Sequence, residues 1–319
     1  MLVDKSKLSS LRGIYGETLV ELGAENKDIV VLDADLSCST QTCKFAKAYP
    51  ERFFNIGIAE QDLVGTAAGF AAAGKIPFLS TFAIFASGRA WDQVRNGIAY
   101  PKFNVKIVGT HGGITVGEDG ATHQALEDIS LMRSIPNMTV IVPSDAREVR
   151  AAIKFAAEYE GPMYIRLPRG NCHDIFDESY SFEYPKAQVL TEGIDVTIVS
   201  NGETMYEAVA CAEKLSQKGI LAEVINVPVV KPLDEETILK SVRKTGAIAV
   251  IENHSIIGGL GSAVSECLSE NYPAFVKRIG TRDTFGQSGK DTELLAEYGL
   301  TADKFIDDIY RLIERKNGI

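Results

Sequence analysis

The chain has 319 residues, 45% hydrophobic and 24% charged, with a formal net charge of -10, which suits two globular domains each able to bury a core and excludes disorder as the default. The acidic balance argues against nucleic acid and anionic membrane surfaces, both of which require basic patches. No uncharged run approaches the roughly 20 residues of a membrane span, and the start, MLVDKSKLSS, has no apolar signal core, so a cytoplasmic location is expected.

In chain order, short β-branched runs alternate with helix-length segments: IVVLDA, CKFAKAYP, FFNIG, a Gly/Ala-rich helix, IPFLST, a helix from about Ala83, NVKIVGT, a loop, ALEDISLMRS, MTVIVP, AREVRAAIKFAAEYE and PMYIRLP. Strands separated by helices predict a mostly parallel sheet covered on both faces. From Asn171 to Leu190 the periodicity lapses, as in a linker. It restarts with DVTIVSNG, MYEAVACAEKLSQKG, LAEVINV, DEETILKSVRKTG, AIAVIEN, a helix near GSAVSECLSE, FVKRIG and a helical tail. The expected fold class is α/β, two three-layer domains, the larger over residues 1–185 with its linker and the smaller over 186–319. Cys38, Cys43, Cys172, Cys211 and Cys267 are scattered without a CxxC pair and read as reduced thiols.

Glu60 stands just before a segment, Leu63 to Gly74, that carries no charge and in which eight of twelve residues are Gly or Ala. An acid in a first turn is favoured by the helix dipole. The small residues behind it suit a close helix contact between subunits. The stretch THGGITVGEDGATHQ holds two of the four histidines, His111 and His123, with Asp119 and several glycines. It follows a strand, where open α/β sheets bind ligands, and glycine lets a ligand approach the backbone. A solvated loop, or a metal site of His111, His123 and Asp119, is the alternative. In STFAIFASGRAWDQ, Phe82 and Phe85 share a face if helical, a spacing also common in cores. Arg12, Arg166 and Arg169 follow element boundaries, and arginine forks well onto phosphate. IENHSIIGGLGSAV puts glycines between a strand and a helix, but the spacing lacks the full dinucleotide fingerprint and reads as a tight turn.

The stretches DADLSCST, FFNIGIAEQ, STFAIFASGRAWDQ, THGGITVGEDGATHQALED and YIRLPRGN, in this order and spacing, together closely resemble the pyrimidine-binding and C-terminal domains of transketolase over essentially the whole chain. The resemblance implies thiamine diphosphate as cofactor, with Glu60 as the glutamate hydrogen-bonded to N1' of the aminopyrimidine. That contact favours the imino tautomer that takes the C2 proton and generates a nucleophilic ylid. It requires a dry, positioned carboxylate. By the same resemblance Phe82 and Phe85 flank the pyrimidine and Asp35 lies near the cofactor. His111 and His123 hydrogen-bond sugar hydroxyls and carbonyl, and Asp119 reads the acceptor's C2 hydroxyl. Arg12, Ser39 and Arg169 match the cluster that grips the terminal anion of a sugar phosphate.

Two departures stand out. Full-length transketolases often carry a third aromatic where this chain has Gly88. The family's diphosphate-binding domain, with its GDG and a later Asn that hold Mg2+ or another divalent metal, has no counterpart here. The resemblance therefore implies the C-terminal subunit of a split transketolase, with a diphosphate-binding N-terminal subunit as partner, an α2β2 assembly and a role in pentose phosphate and other carbohydrate metabolism. The E1 β subunit of a 2-oxo acid dehydrogenase shares the two domains and the glutamate but generally lacks GEDGATHQ. Deoxyxylulose phosphate synthase usually lacks a histidine matching His111 and keeps its diphosphate domain on the same chain. A non-catalytic scaffold would have no need of Glu60 with both histidines and both phenylalanines.

Overall fold

The computed structural model describes residues 7–318. After β1 (Leu8–Ser10) and the helix Leu11–Glu25 come β2 (Ile29–Asp33), β3 (Phe53–Asn55), β4 (Ile76–Phe82), β5 (Lys106–Thr110), β6 (Thr139–Ile141) and β7 (Met163–Arg166), with helices between them. β2 to β7 lie parallel in the order β6-β7-β5-β4-β2-β3. Their side chains alternate between two apolar layers, as strand geometry requires. Ile29, Val31, Phe78 and Val108 pack under Leu11, Tyr15 and Leu19 on one side and under Val149 and Ile153 of the helix Ala146–Glu158. Val30, Leu32, Leu79 and Ile107 pack on the other side with Leu63, Val64 and Ala67 of the helix Glu60–Ala72. Burial of both faces explains why these strands read as unbroken apolar runs.

The expected linker is more ordered at its ends than its mixed composition suggests. β8 (Asn171–His173) pairs antiparallel with β1, and β9 (Gln188–Thr191) opens the second sheet. β10 (Val196–Ser200), β11 (Ala222–Asn226), β13 (Ala247–Ser255) and β14 (Phe275–Thr281) complete that sheet in the order β14-β13-β10-β11-β9, parallel but for β9. One strand, β12 (Val229–Lys231), crosses over: Val229 pairs antiparallel with Ile141 on the edge of the first sheet. The apolar layer on that side is continuous with Val199, Ile225, Val227 and Val250 of the second domain. Thus the two α/β domains share core and sheet. No helix among the described residues is long and apolar enough to cross a membrane.

Two local features set up the region beyond the C-terminal ends of the first sheet. Asp33, wholly buried at the end of β2, accepts from the Leu36 amide (2.6 Å), Thr40 Oγ1 (2.6 Å) and Thr42 Oγ1 (2.8 Å). These bonds fold residues 34–42 back over the helix Leu11–Glu25, and a Cβ at Gly16 of that helix would collide with the Gln41 carbonyl oxygen. We therefore expect Gly16→Ala to destabilise the protein by about 1–3 kcal/mol, the usual cost of overpacking against backbone. Urea denaturation would check this; an unchanged midpoint would contradict the packing described.

Candidate active site

Glu60 is the first residue of its helix and is only 2% exposed. A buried carboxylate needs a partner, and Arg89 supplies it, with Nη1 2.8 Å from each carboxylate oxygen. The same guanidinium lies 4.4 Å from the centroid of the Phe85 ring, a cation–π contact. Arg89 reaches Glu60 from a helical run that is wound wider than an α-helix over Phe85–Arg89 and Val94–Ala99; the Ala90 amide donates to the carbonyl five residues back, Phe85. Such wide turns are rare and recur at functional sites. Phe82 and Phe85 are near-parallel, with centroids 5.8 Å apart.

The loop after β5 adds the histidines. His111 adopts φ 59°, a left-handed conformation uncommon outside glycine. Its ring stacks on Phe82 at 3.7 Å and its Nδ1 lies 2.9 Å from Thr110 Oγ1. His123 meets Phe85 edge-on at 5.4 Å, and its Nδ1 is 2.9 Å from Thr122 Oγ1. Burial first, and then repulsion of its protonated form by Arg12, Arg169 and His123, brings the pKa of His111 down to about 3. The imidazole is therefore neutral at ordinary pH, able to donate and accept one hydrogen bond. Among the described residues no three His, Cys, Asp or Glu converge as metal ligands; the rings of His111 and His123 are used against Phe82 and Phe85.

Arg12, Ser39 and Arg169 converge as well. Arg12 donates from Nη1 to the Ser39 carbonyl (2.5 Å) and from Nη2 to the Arg169 carbonyl (2.8 Å), while its buried Nε has no partner. Burial and the neighbouring Arg169 lower its pKa. Arg169 donates to the Val116 carbonyl at 2.6 Å. Both arginines line a cavity of about 360 Å³ with Thr115, Glu118 and, from the second domain, Lys290. Asp35, at φ 64°, is held by Asn55, whose Nδ2 donates to its carboxylate at 3.0 Å while Oδ1 accepts from its amide and from that of Gly57. Asp35 is thereby tied to the turn that leads into Glu60. Asp119 is exposed, and among the described residues its side chain has no partner; the structure does not join it to the other groups. Arg166 is turned inward, bonded through Nε to Asp128 at 2.9 Å.

Arg89 and Asn55 carry no signal of their roles in the sequence. Both lie inside quoted motifs, but their partners are 29 and 20 residues away and no local spacing reveals them. The glycine turn of IENHSIIGGLGSAV is filled internally: the Glu252 carboxylate accepts from the amides of Leu260 (2.7 Å) and Gly261 (2.9 Å), leaving that helix start no room for a phosphate.

Residues 8–174 match the family described as the transketolase pyrimidine binding domain, and residues 185–305 the transketolase C-terminal domain. A protein of Methanocaldococcus jannaschii named "Putative transketolase C-terminal section" is 50% identical over 96% of this chain and 97% of its own length. A 6-deoxy-6-sulfo-D-fructose transketolase subunit of a Clostridium species is 46% identical over 96% and 95%. Among solved structures, a split-gene transketolase described as an inactive β4 tetramer superposes with a TM-score of 0.90 at 52% identity, covering 96% of this chain and 99% of that one.

The neutral state of His111 has a consequence for stability. The unfolded chain takes up this proton near the ordinary 6.5 and the folded protein only near 3, so the stability held by a neutral His111 is intact above pH 6.5 and is lost as pH falls toward 3. In urea titrations across that window, the advantage of wild type over His111→Gln should shrink as pH falls. Parallel pH profiles would contradict a buried neutral imidazole.

Proposed function

The chain belongs to the transketolase family, and on that premise we propose that it is the C-terminal subunit of a split, thiamine-diphosphate-dependent transketolase that moves a two-carbon ketol unit from a ketose donor to an aldose acceptor. In this reading residues 1–185 are the pyrimidine-binding domain and 186–319 the C-terminal domain, working in the cytoplasm. The observation that carries it is the buried Glu60 carboxylate beside the near-parallel Phe82 and Phe85 rings, with His111 and His123 on the same rings.

These residues fit the cofactor's aminopyrimidine. Glu60 is dry enough to hold a proton-sharing hydrogen bond to N1', Phe85 offers a face for stacking, and Asp35 borders the same turn. When bound, the cofactor supplies a nucleophilic C2 that accepts and hands on the ketol unit. The protein's part is to hold the proton at Glu60, to exclude water and to orient the sugar. Arg89 pairs with Glu60 in the lone subunit, so the carboxylate must share or exchange that partner to meet N1'. The neutral His111, together with His123, hydrogen-bonds the sugar's carbonyl and hydroxyls, and Asp119, exposed on the loop, reads the acceptor's C2 hydroxyl as the substrate enters.

The terminal anion of the sugar goes to Arg12, Ser39 and Arg169. Support comes from the unpartnered Arg12 Nε and from the proximity of the two guanidinium groups. Phosphate is the expected anion. The relative that acts on a sulfo sugar makes a sulfonate the alternative to screen.

The diphosphate and its Mg2+ are held by a diphosphate-binding partner subunit, in an α2β2 assembly. The helix that Glu60 begins supports a docking partner. Leu63, Val64, Ala67 and Ala68 of this helix are buried, whereas a Cβ at Gly65 or Gly69 would meet nothing within 4 Å, and Gly88 and Gly97 are equally open. Ile58, just before Glu60, is 79% exposed. Small residues on a bare helix face allow close approach by another chain.

Three outcomes test this reading. Mixed with thiamine diphosphate and Mg2+, the purified chain should be inactive and should gain ketol transfer on addition of the partner subunit; turnover by the chain alone would refute the split. Glu60→Gln should lower the cofactor's C2 proton exchange, followed by NMR, by at least about a hundredfold within the range of general acid–base catalysis, with assembly unaffected. Arg169→Ala should raise KM for an anionic acceptor by about tenfold, the loss of one charged hydrogen bond, and leave a neutral short aldose unchanged.

A further inference from the structure

An open α/β sheet ordinarily binds its ligand in the crevice at the strand ends where the strand order reverses. In the second sheet that point lies between β10 and β13, since the chain runs from β10 to β11 on one side and returns to β13 on the other. The crevice is filled from within. Glu203 follows β10 and Asn253 lies near the end of β13, and between them sits the loop of the first domain that carries His111, Asp119 and His123.

The bonds are specific. Asn253, 3% exposed, accepts from the Ile114 amide through Oδ1 at 2.9 Å and donates through Nδ2 to Glu203. Thr115 Oγ1 donates to the same Glu203 oxygen at 2.8 Å. A Cβ at Gly113, which has φ 85°, would lie 2.5 Å from the Asn253 amide group, so glycine is required for this approach. Behind the loop, Gln124 Nε2 donates to the Ile114 carbonyl and to the Gln287 carbonyl, both at 2.9 Å, and the Ser255 amide donates to the Leu126 carbonyl at 2.8 Å. Arg166 Nη2 donates to the Asn253 carbonyl at 2.8 Å. Among the described residues, the contacts of His111 and Gly112, which start this clamped stretch, are to their own domain: Thr110 Oγ1 and the Phe82 ring for His111 and the Leu167 carbonyl for Gly112.

We propose that Asn253 and Glu203 are positioning residues for sugar binding: the second domain uses its strand-end crevice to clamp Ile114–Thr115 and thereby sets His111 and His123 over the reacting sugar. The proposal rests on the functional reading above and gives the C-terminal domain a task in the reaction. Neither residue touches the substrate or cofactor; they act through the loop. Glu60, Phe85 and Arg89 lie on other elements, so proton exchange at the cofactor should not depend on the clamp.

The test uses the chain reconstituted with its partner subunit, thiamine diphosphate and Mg2+. In Asn253→Ala and Glu203→Ala, amide hydrogen exchange at Ile114 and Thr115 should accelerate at least tenfold and kcat/KM for ketose and aldose should fall at least tenfold, chiefly in KM, with C2 proton exchange of the cofactor unchanged. Glu203→Gln keeps an accepting oxygen for Thr115 and Asn253 and should restore both readouts. If an alanine variant failed to assemble, Thr115→Val with Thr115→Ser as its rescue makes the same comparison from the loop side. Unchanged amide protection, faster exchange without loss of kcat/KM, or C2 exchange falling in step with kcat/KM would each overturn the proposal. A wild-type complex that turned over no sugar would instead sink the functional reading, and amide protection in the variants would still decide whether Asn253 and Glu203 hold the loop.

Discussion

A carboxylate almost wholly removed from water cannot be left alone, and the requirement to pair Glu60 organises much of this structure. Its position in a first helical turn contributes a favourable dipole, but that term is small beside the penalty for an unpaired buried charge. Arg89 offsets that penalty, and to reach Glu60 it comes from a helical run wound wide at Phe85–Arg89. Phe85 carries the guanidinium on its ring and faces Phe82, which in turn carries His111. One buried charge is thus linked, contact by contact, to the aromatic pair and the first histidine of the loop.

The other side of the site obeys a different logic. Arg12, Arg169 and His111 are close enough for like charge to matter, and the chain resolves the conflict by keeping His111 neutral while the guanidinium groups donate to carbonyls of Ser39, Arg169 and Val116. Along the cavity on this side, Arg12, Arg169 and Lys290 stand against Glu118 and Asp291, a local excess of positive charge in a chain whose net charge is -10. An acidic protein can therefore present a local cationic pocket, because screening at about 8 Å confines each exposed charge to its neighbourhood under physiological salt.

Much of the architecture was legible in sequence because it rests on local rules. Alternation of β-branched runs with helical segments predicted the two parallel sheets, and the acid ahead of a Gly/Ala run predicted a helix start. What was not legible depends on distant partners. The short run holding Val229 looks no different from other apolar runs, yet it pairs with Ile141 in the neighbouring sheet, because edge strands pair by where the fold delivers them and not by composition. The linker looked structureless because β8 and β9 are three and four residues long, too short for a period to register.

The sequence by itself determined the family, the two-domain α/β order and the residue types of the site, since motifs and periodicity are properties of neighbouring residues. Tertiary structure alone decided which of those residues meet. It turned Arg166 inward to Asp128 while leaving Arg169 at the cavity, left Asp119 exposed, brought Arg89 across 29 residues to Glu60 and carried Asn253 across 139 residues to the Ile114 amide. The reason is physical: desolvation penalises every unpaired polar group, and which partners can satisfy it is set only when the sheets have packed.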